Sequence, residues 1–308
     1  MQKATTARQQ VILAKPVKKI HQHQMQGDIG RRHHSIIMAP AFQGKHDSVR
    51  LAVYRQVWKY LSNDYAIIYA AEPDPSRVIQ QMSKVAAELA PDEEREIENC
   101  ITRGALTVIN RNEFYQPSKT NELDIPKLTG LWRSLVLEVH KQSKPRGIVA
   151  IGDPSTFFEN DDSSHRHIKL AQYESAICKE LVKPLEEAIC WYNNPGLVAK
   201  MSFSDLVNLI NTHHSTIHTG WLYREWRPHD IIAHVREGMD RVLGKGTANL
   251  IFKTLQLVYK VDPEQTIIFQ PDVFEEKLRK IMGDSIAKLL FDVLADALRK
   301  EVSFNRIS

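Results

Sequence analysis

The chain has 308 residues, of which 43% are hydrophobic and 25% are charged, values typical of a folded globular protein. Its length predicts two domains, and its apolar runs fall short of the roughly 18 residues that a membrane span requires. The net charge of +4 is concentrated at the N-terminus, because residues 1–33 alone carry a net charge of +6. We therefore expect a nearly neutral folded body and no membrane partner.

Residues 1–33 form a basic tail that is rich in Gln and His and poor in apolar residues. Such a segment buries too little apolar surface to fold alone, so we expect it to be disordered. A nucleic-acid-binding arm is the sharper alternative, although the tail lacks the interleaved aromatic residues that would favour it. The absence of a secretion signal and of any C-x-x-C pair among three cysteines predicts a cytoplasmic protein.

From residue 34 onwards, short apolar runs alternate with amphipathic stretches, which is the pattern of βαβ units in a mostly parallel sheet. The predicted strands cover 35–39, 66–70, 106–109, 147–151, 188–192 and 214–219. The predicted helices cover 49–61, a stretch that begins at Pro91, 168–182, and 202–211 with Ser202 as its N-cap. Residues 34–225 are therefore predicted to form an α/β domain.

In residues 226–308 the pattern changes and helices dominate. Apolar stripes at helical spacing run through 274–282 and 286–297, and Gly283 separates them. Residues 266–269 are the one stretch of this part that could form a strand. We expect a small all-α C-terminal domain.

The loop after the first predicted strand, residues 39–46, has part of a phosphate-binding P-loop. Gly44 and Lys45 stand at the required spacing, with Gln43 before them. An alanine replaces the first glycine, and His46 replaces the hydroxyl residue that would hold magnesium. The loop therefore disfavours magnesium-ATP hydrolysis, whereas Gly44 and Lys45 can still receive an anionic ligand.

Asp153 follows the apolar run 148–151, as the acidic residue of a second Walker element does. An ordinary turn at Gly152 explains this pattern better than magnesium binding. Ligands of open α/β sheets bind beyond the carboxyl ends of the strands, so we expect a small-molecule crevice there.

Several short motifs occur in the order and approximate spacing of a known sensory family. They are His34-Ser-Ile-Ile, Ile68-Tyr-Ala-Ala-Glu-Pro73, Glu113-Phe-Tyr115, Tyr173-Glu174, Cys190-Trp-Tyr-Asn193, Phe203 and Thr212-His213. Residues 34–225 thereby resemble the methanogen/methylotroph sensory (MEDS) domain, which is related to RecA-like ATPases. The chain departs from the family at Trp191 and Asn193, where Gln and Asp are usual.

The resemblance implies a P-loop/RecA-like sheet with helices on both faces and the sensing of small hydrocarbon derivatives. The candidate ligand-binding residues are His34, Gln43, Gly44, Lys45, Tyr115, Asp153, Glu174, Cys190, Tyr192 and His213. Residues 226–308 are similar to a small helical output domain of ammonia-oxidising archaea, the fifth Nitrososphaera output type. The implied architecture is a sensor followed by an output domain.

His213, His214 and His218 come nearest to a metal-binding motif, since His214 and His218 would share one face of a helix. The segment lacks the glutamate of a zincin, and its β-branched residues favour a strand. We therefore predict structural histidines and no metal site. No nucleophile and base can be paired from the sequence, so we predict no catalytic residues and name no cofactor.

The sequence favours a sensor that binds a small molecule and transmits this binding as a signal to a downstream signalling or transcription protein. Two alternatives stay open: a nucleotide-binding RecA-like ATPase, and a DNA-associated transcriptional regulator that uses the basic tail. A homodimer and nucleic-acid binding also stay open.

Overall fold

The computed structural model describes residues 33–39, 46–91, 96–115, 124–157, 166–179, 183–218 and 220–303. The strands are β1 (His33–Met38), β2 (Tyr65–Glu72), β3 (Leu106–Asn110), β4 (Gly147–Gly152), β5 (Leu185–Tyr192), β6 (Ser215–His218) and β7 (Leu222–Glu225). The helices of the first part are α1 (His46–Leu61), α2 (Pro75–Leu89), α3 (Glu96–Thr102), α4 (Arg111–Phe114), α5 (Ile125–Ser143), α6 (Arg166–Lys179), α7 (Pro195–Lys200) and α8 (Phe203–Thr212). The remaining helices are α9 (Pro228–Leu243), α10 (Lys245–Leu257), α11 (Pro263–Phe269), α12 (Pro271–Met282) and α13 (Asp284–Val302).

The seven strands form one sheet in the order β3-β2-β4-β5-β1-β6-β7. All neighbouring strands are parallel except β6 and β7, which form an antiparallel edge. The first strand lies inside the sheet, between β5 and β6. The predicted α/β class with a mostly parallel sheet is therefore confirmed, whereas its RecA-like identity stays a prediction.

The central strands β1, β2, β4 and β5 contribute to hydrophobic cores on both faces of the sheet, because successive side chains point to opposite faces. On one face, Ile37 and Trp191 belong to a core that includes buried residues of α1, α2 and α3. On the other face, Ala188 packs with α5 and α6, whereas Ile36 and Met38 pack with α7 and α8. The border between these last two cores runs across β5 and lies under α6 and α8.

The predicted helix start at Pro91 is not tested, because residues 92–95 lie outside the described residues; helix α2 ends at Leu89, and the next described helical segment is Glu96–Thr102. Helix α2 itself was not predicted, although its start is encoded locally. The Asp74 side chain accepts a hydrogen bond from the backbone of Arg77, and a proline opens the helix. The predicted N-cap at Ser202 is confirmed by a capping box at the start of α8.

The predicted strand at 266–269 is wrong, since these residues end helix α11. The side chain of Asp262 accepts from the backbone of Glu264 and Gln265, and Pro263 occupies the first turn. These capping contacts outweigh the strand propensity of the β-branched residues that follow. The edge strand β7 was not predicted, because its four residues include no fully buried side chain.

The C-terminal helices pack on α7 and α8 around one shared hydrophobic core. The Phe203 ring of α8 lies 6.1 Å from Phe274 of α12 and 5.5 Å from Phe291 of α13. The guanidinium of Arg299 donates to the backbone carbonyls of Val198 and Met201. The core thus crosses residue 225, where the sequence places a domain boundary, and that boundary stays a prediction.

Within the described residues, no helix combines the length and the apolar composition needed to cross a bilayer. Cys100, Cys178 and Cys190 are all free thiols.

Candidate functional site

Five buried polar side chains meet where the sheet, α6 and α8 come together, and we call them the Glu174 cluster. They are His34 on β1, Glu174 on α6, Cys190 and Tyr192 on β5, and His213 directly after α8. None is more than 5% exposed. The parallel register pairs Ile36 with Cys190, so the even-numbered residues of β1 and β5 share one face. All five were predicted as ligand-binding residues, and the structure brings them together.

The carboxylate of Glu174 lies at the centre of this cluster. Its Oε2 atom is 3.3 Å from Nε2 of His34, 3.3 Å from Nε2 of His213 and 3.0 Å from Sγ of Cys190. Its Oε1 atom accepts a short hydrogen bond from the hydroxyl of Tyr192. Nε2 of His34 also lies 3.4 Å from Sγ of Cys190, so the groups surround one small volume.

The outer nitrogens of both histidines face backbone carbonyls at the end of α8. Nδ1 of His34 lies 3.1 Å from the carbonyl oxygen of Thr212, and Nδ1 of His213 lies 2.7 Å from that of Leu209. The two imidazole rings are close neighbours, with centroids 4.1 Å apart. The end of α8 is thereby fixed to the first strand.

Burial and charge act against each other on the Glu174 carboxyl. Burial alone would raise its pKa, but the positive charge that His213 and His34 can carry beside it holds that pKa well below its usual value. Burial, and then the charge of Glu174, raise the pKa values of the Cys190 thiol and the Tyr192 hydroxyl. The cluster therefore concentrates charge in a region that water does not reach.

Tyr115 extends the cluster towards the carboxyl end of β4. Its hydroxyl lies 3.3 Å from that of Tyr173, the residue before Glu174, and both rings are fully buried. A Cβ atom on Gly152 would overlap the Tyr115 hydroxyl, so only glycine lets the tyrosine approach the strand. Burial raises the pKa values of both tyrosines, and they are neutral donors and acceptors at neutral pH.

Asp153 lies at the carboxyl end of β4 but is not one of the groups around Glu174. Its Oδ2 atom accepts from Arg111 at 2.5 Å, and its Oδ1 atom accepts from the backbone of Ser155 at 2.9 Å. Burial outweighs Arg111 and raises the pKa of this carboxyl. Both oxygens are thus engaged by Arg111 and by the backbone of Ser155, and the predicted ligand-binding role of Asp153 stays a prediction.

Three predicted ligand-binding residues, Gln43, Gly44 and Lys45, lie outside the described residues. The predicted structural histidines turn to different partners. Nδ1 of His214 accepts from the backbone of His34, whereas Nε2 of His218 lies 2.8 Å from the hydroxyl of Thr216. Residues 215–218 form a strand, as their β-branched side chains predicted.

A second buried carboxylate, Glu187, lies on the opposite face of β5 and was not predicted. It accepts hydrogen bonds from the hydroxyls of Ser35, Tyr60 and Tyr223 at 2.9, 2.7 and 3.1 Å. We call these four residues the Glu187 cluster. Burial outweighs these hydroxyl donors and raises the pKa of Glu187. The available sign in the sequence was an acidic residue, Glu187, within the mostly apolar strand β5.

An open groove lies between the start of α8 and helices α12 and α13, and its lining includes no residue of either cluster. Its charged side chains largely pair with one another, as in the contacts of Arg279 with Glu275 and of Arg299 with Asp296. These pairs leave little uncompensated charge for a ligand.

Comparisons with known proteins identify no relative: no family model, no curated protein and no solved structure matches the chain. The resemblance of residues 34–225 to the MEDS domain therefore rests on the quoted motifs.

Proposed function

We propose that the chain is an intracellular signal-transduction sensor, whose MEDS-like α/β part binds a small molecule and whose C-terminal helices relay that binding. One observation carries this proposal: the Glu174 cluster joins the sheet to α6 and α8, and α8 shares its hydrophobic core with the C-terminal helices. We expect the C-terminal helices to transmit the signal by contacting a downstream signalling or transcription protein. The three unpaired cysteines support the intracellular setting.

Burial makes the cluster suited to coupling. A ligand that contacts His34, Glu174 or His213 must displace α6 or the end of α8, since these side chains are covered by protein. Because α8 packs directly on α12 and α13, such a displacement changes the packing of those helices. Packed cores shift between discrete arrangements, so a small movement at the cluster can alter a distant surface.

The proposal is tested by ligand-dependent thermal stability of the full chain against small hydrocarbon derivatives, metabolites and nucleotides. A ligand present at 100 times its Kd should stabilise the protein by about 2.7 kcal/mol. Tyr115→Phe should weaken that stabilisation, whereas Tyr65→Phe at the amino end of β2 serves as the matched control. Hydrogen exchange should then change in α8, α12 and α13. Failure of every compound to stabilise the chain would rule out sensing by this route.

The same preparation separates the two alternatives. ATP turnover that disappears in Lys45→Ala would replace the sensor with a RecA-like ATPase. Salt-dependent DNA binding that is lost when residues 1–33 are removed would indicate a transcriptional regulator.

A further inference from the structure

Four atoms of the Glu174 cluster have the spacing of ligands around one metal ion. They are Nε2 of His34, Oε2 of Glu174, Sγ of Cys190 and Nε2 of His213, and all lie within 4.8 Å of one another. A tetrahedral ion with bonds of about 2.0 to 2.3 Å holds its ligand atoms about 3.3 to 3.8 Å apart. Four of the six separations are 3.3, 3.3, 3.4 and 3.0 Å, close to the edges of such a tetrahedron.

The tautomers of both histidines direct lone pairs into that volume. A carbonyl oxygen can only accept a hydrogen bond, so Nδ1 of His34 and Nδ1 of His213 must carry protons towards Thr212 and Leu209. In a neutral imidazole, Nε2 then has a free lone pair, which is the form that binds metals. Nε2 of His213 is buried, and its 3.3 Å contact with Oε2 of Glu174 lacks hydrogen-bond geometry.

These lone pairs face an acceptor rather than a donor. Glu174 as a carboxylate has only lone pairs to offer, so without a proton or a cation between them the neutral imidazoles and the carboxylate repel one another across 3.3 Å. A cation in the middle removes this conflict. With two neutral histidines, a Cys190 thiolate and the Glu174 carboxylate, a divalent ion gives a centre of net charge zero, which is the least costly charge to bury.

The ligand types indicate which ion fits. Two imidazole nitrogens, one thiolate and one carboxylate are ligands that Zn²⁺ accepts, whereas Mg²⁺ and Ca²⁺ require oxygen ligands. The hydroxyl of Tyr192 donates to the other oxygen of Glu174 and the two carbonyls hold the histidines, so an outer shell is already present. Four protein ligands leave no open position for a substrate, as in structural zinc sites.

We propose that His34, Glu174, Cys190 and His213 bind a Zn²⁺ ion that fastens α6 and the end of α8 to the sheet. The site departs from the expectation of no metal and differs from the His213, His214 and His218 motif. It does not depend on sensing, because a structural ion would be held whether or not the chain transmits a signal.

The test is metal analysis and cobalt spectroscopy of the full chain, produced without a histidine tag. We expect one zinc ion per chain by mass spectrometry of the metal content. Protein grown with Co²⁺ in place of Zn²⁺ should show tetrahedral cobalt bands and a thiolate-to-cobalt charge-transfer band. Cys190→Ser should abolish the charge-transfer band, whereas Cys100→Ser, a buried cysteine on α3, should retain it.

A milder variant keeps the test decisive if Cys190→Ser does not fold. Tyr192→Phe keeps all four ligands and should weaken zinc binding by about 10-fold to 100-fold, with Tyr65→Phe as control. Wild-type protein that is folded but holds neither zinc nor cobalt would overturn the proposal and leave a hydrogen-bonded network stabilised by protons. Zinc binding without any small-molecule response would sustain this site while removing the proposed sensor function.

Discussion

Two buried carboxylates lie on opposite faces of the same part of the sheet, and their surroundings differ in kind. Glu187 faces three hydroxyl groups, from Ser35, Tyr60 and Tyr223, each of which can donate a proton to it. Glu174 faces two imidazole nitrogens and a thiol, in addition to one tyrosine hydroxyl. Both carboxyls are buried, so exposure does not distinguish them.

The difference shows that burial of a charged group does not by itself identify a functional site. Hydroxyl donors can satisfy a carboxylate completely, and the Glu187 cluster therefore needs no further component. Histidines whose outer nitrogens are held by carbonyls offer lone pairs instead, and only a proton or a metal ion can join them to Glu174. The predictions below test whether the two clusters differ in this way.

The largest expected effect follows removal of the Glu174 carboxylate. Glu174→Ala should lower the free energy of unfolding by about 3 to 5 kcal/mol. The substitution leaves a cavity, and it removes the anionic partner of the buried histidines. Denaturant unfolding of the full chain measures the loss. Glu88→Ala, at an exposed position of α2, should change stability by no more than about 0.5 kcal/mol. A loss below about 1 kcal/mol at Glu174 would contradict the central role of this carboxylate.

The second-largest expected effect follows metal removal, which should affect stability through the Glu174 cluster and not through the Glu187 cluster. A chelator should lower the unfolding free energy of wild-type protein by about 2.7 kcal/mol relative to zinc at 100 times its Kd. Glu187→Gln should respond to the chelator as wild type does, whereas His213→Gln should not respond. An equal chelator effect in His213→Gln would place the ion elsewhere. The measurement is a pair of denaturation curves, with zinc and with chelator.

Glu187→Gln should lower the free energy of unfolding by about 1 to 3 kcal/mol near pH 4. The amide of Gln places a donor where the carboxyl accepted a hydrogen bond from one of the surrounding hydroxyls. Burial raises the pKa of Glu187 above its ordinary value of 4.5, so the folded protein holds this proton more tightly than the unfolded chain. Its stabilising contribution is present below pH 4.5 and is lost as the pH rises through the folded pKa. The difference between wild type and Glu187→Gln should therefore shrink with rising pH. His33, Tyr60 and Tyr223 face the same carboxyl and must be kept unchanged.

Tyr223→Phe should have the smallest effect, lowering the free energy of unfolding by about 0.5 kcal/mol. Its hydroxyl donates to Glu187, but Ser35 and Tyr60 still donate to the same carboxyl when this donor is lost. Thermal unfolding in parallel with Tyr60→Phe provides the comparison, because Tyr60 is only 6% exposed and should cost more. The reverse order would show that the Glu187 cluster opens to solvent near α1.

The sheet was largely predictable because its central strands are continuous apolar runs, as in 66–70 and 147–151. Such runs occur where both faces of a parallel strand are buried. Prediction was weaker where capping decides the structure. Asp262 and Pro263 make a helix of a stretch with strand propensity, and Asp74 opens a helix that hydrophobic periodicity alone did not reveal.

The candidate site was predictable as a set of residues but not as an arrangement. His34 and His213 were chosen from family motifs, and Glu174 and Cys190 also from their apolar surroundings. Their meeting depends on crossovers that place β1 between β5 and β6, which residue spacing does not specify. Local histidine spacing instead drew attention to His214 and His218, which contact other groups.

The position of the first strand has a consequence for synthesis of the chain. The hydroxyl of Ser35 on β1 is hydrogen-bonded to the hydroxyl of Ser215 on β6, which lies 180 residues later in the chain. A ribosome adding about 5 to 20 residues per second needs roughly 10 to 40 seconds to make that partner. Until β5 has been made, for most of this interval, the apolar strand β1 has neither neighbour in place, and unpaired apolar strands recruit other chains. The nascent protein should therefore depend on chaperones until its last strands have emerged.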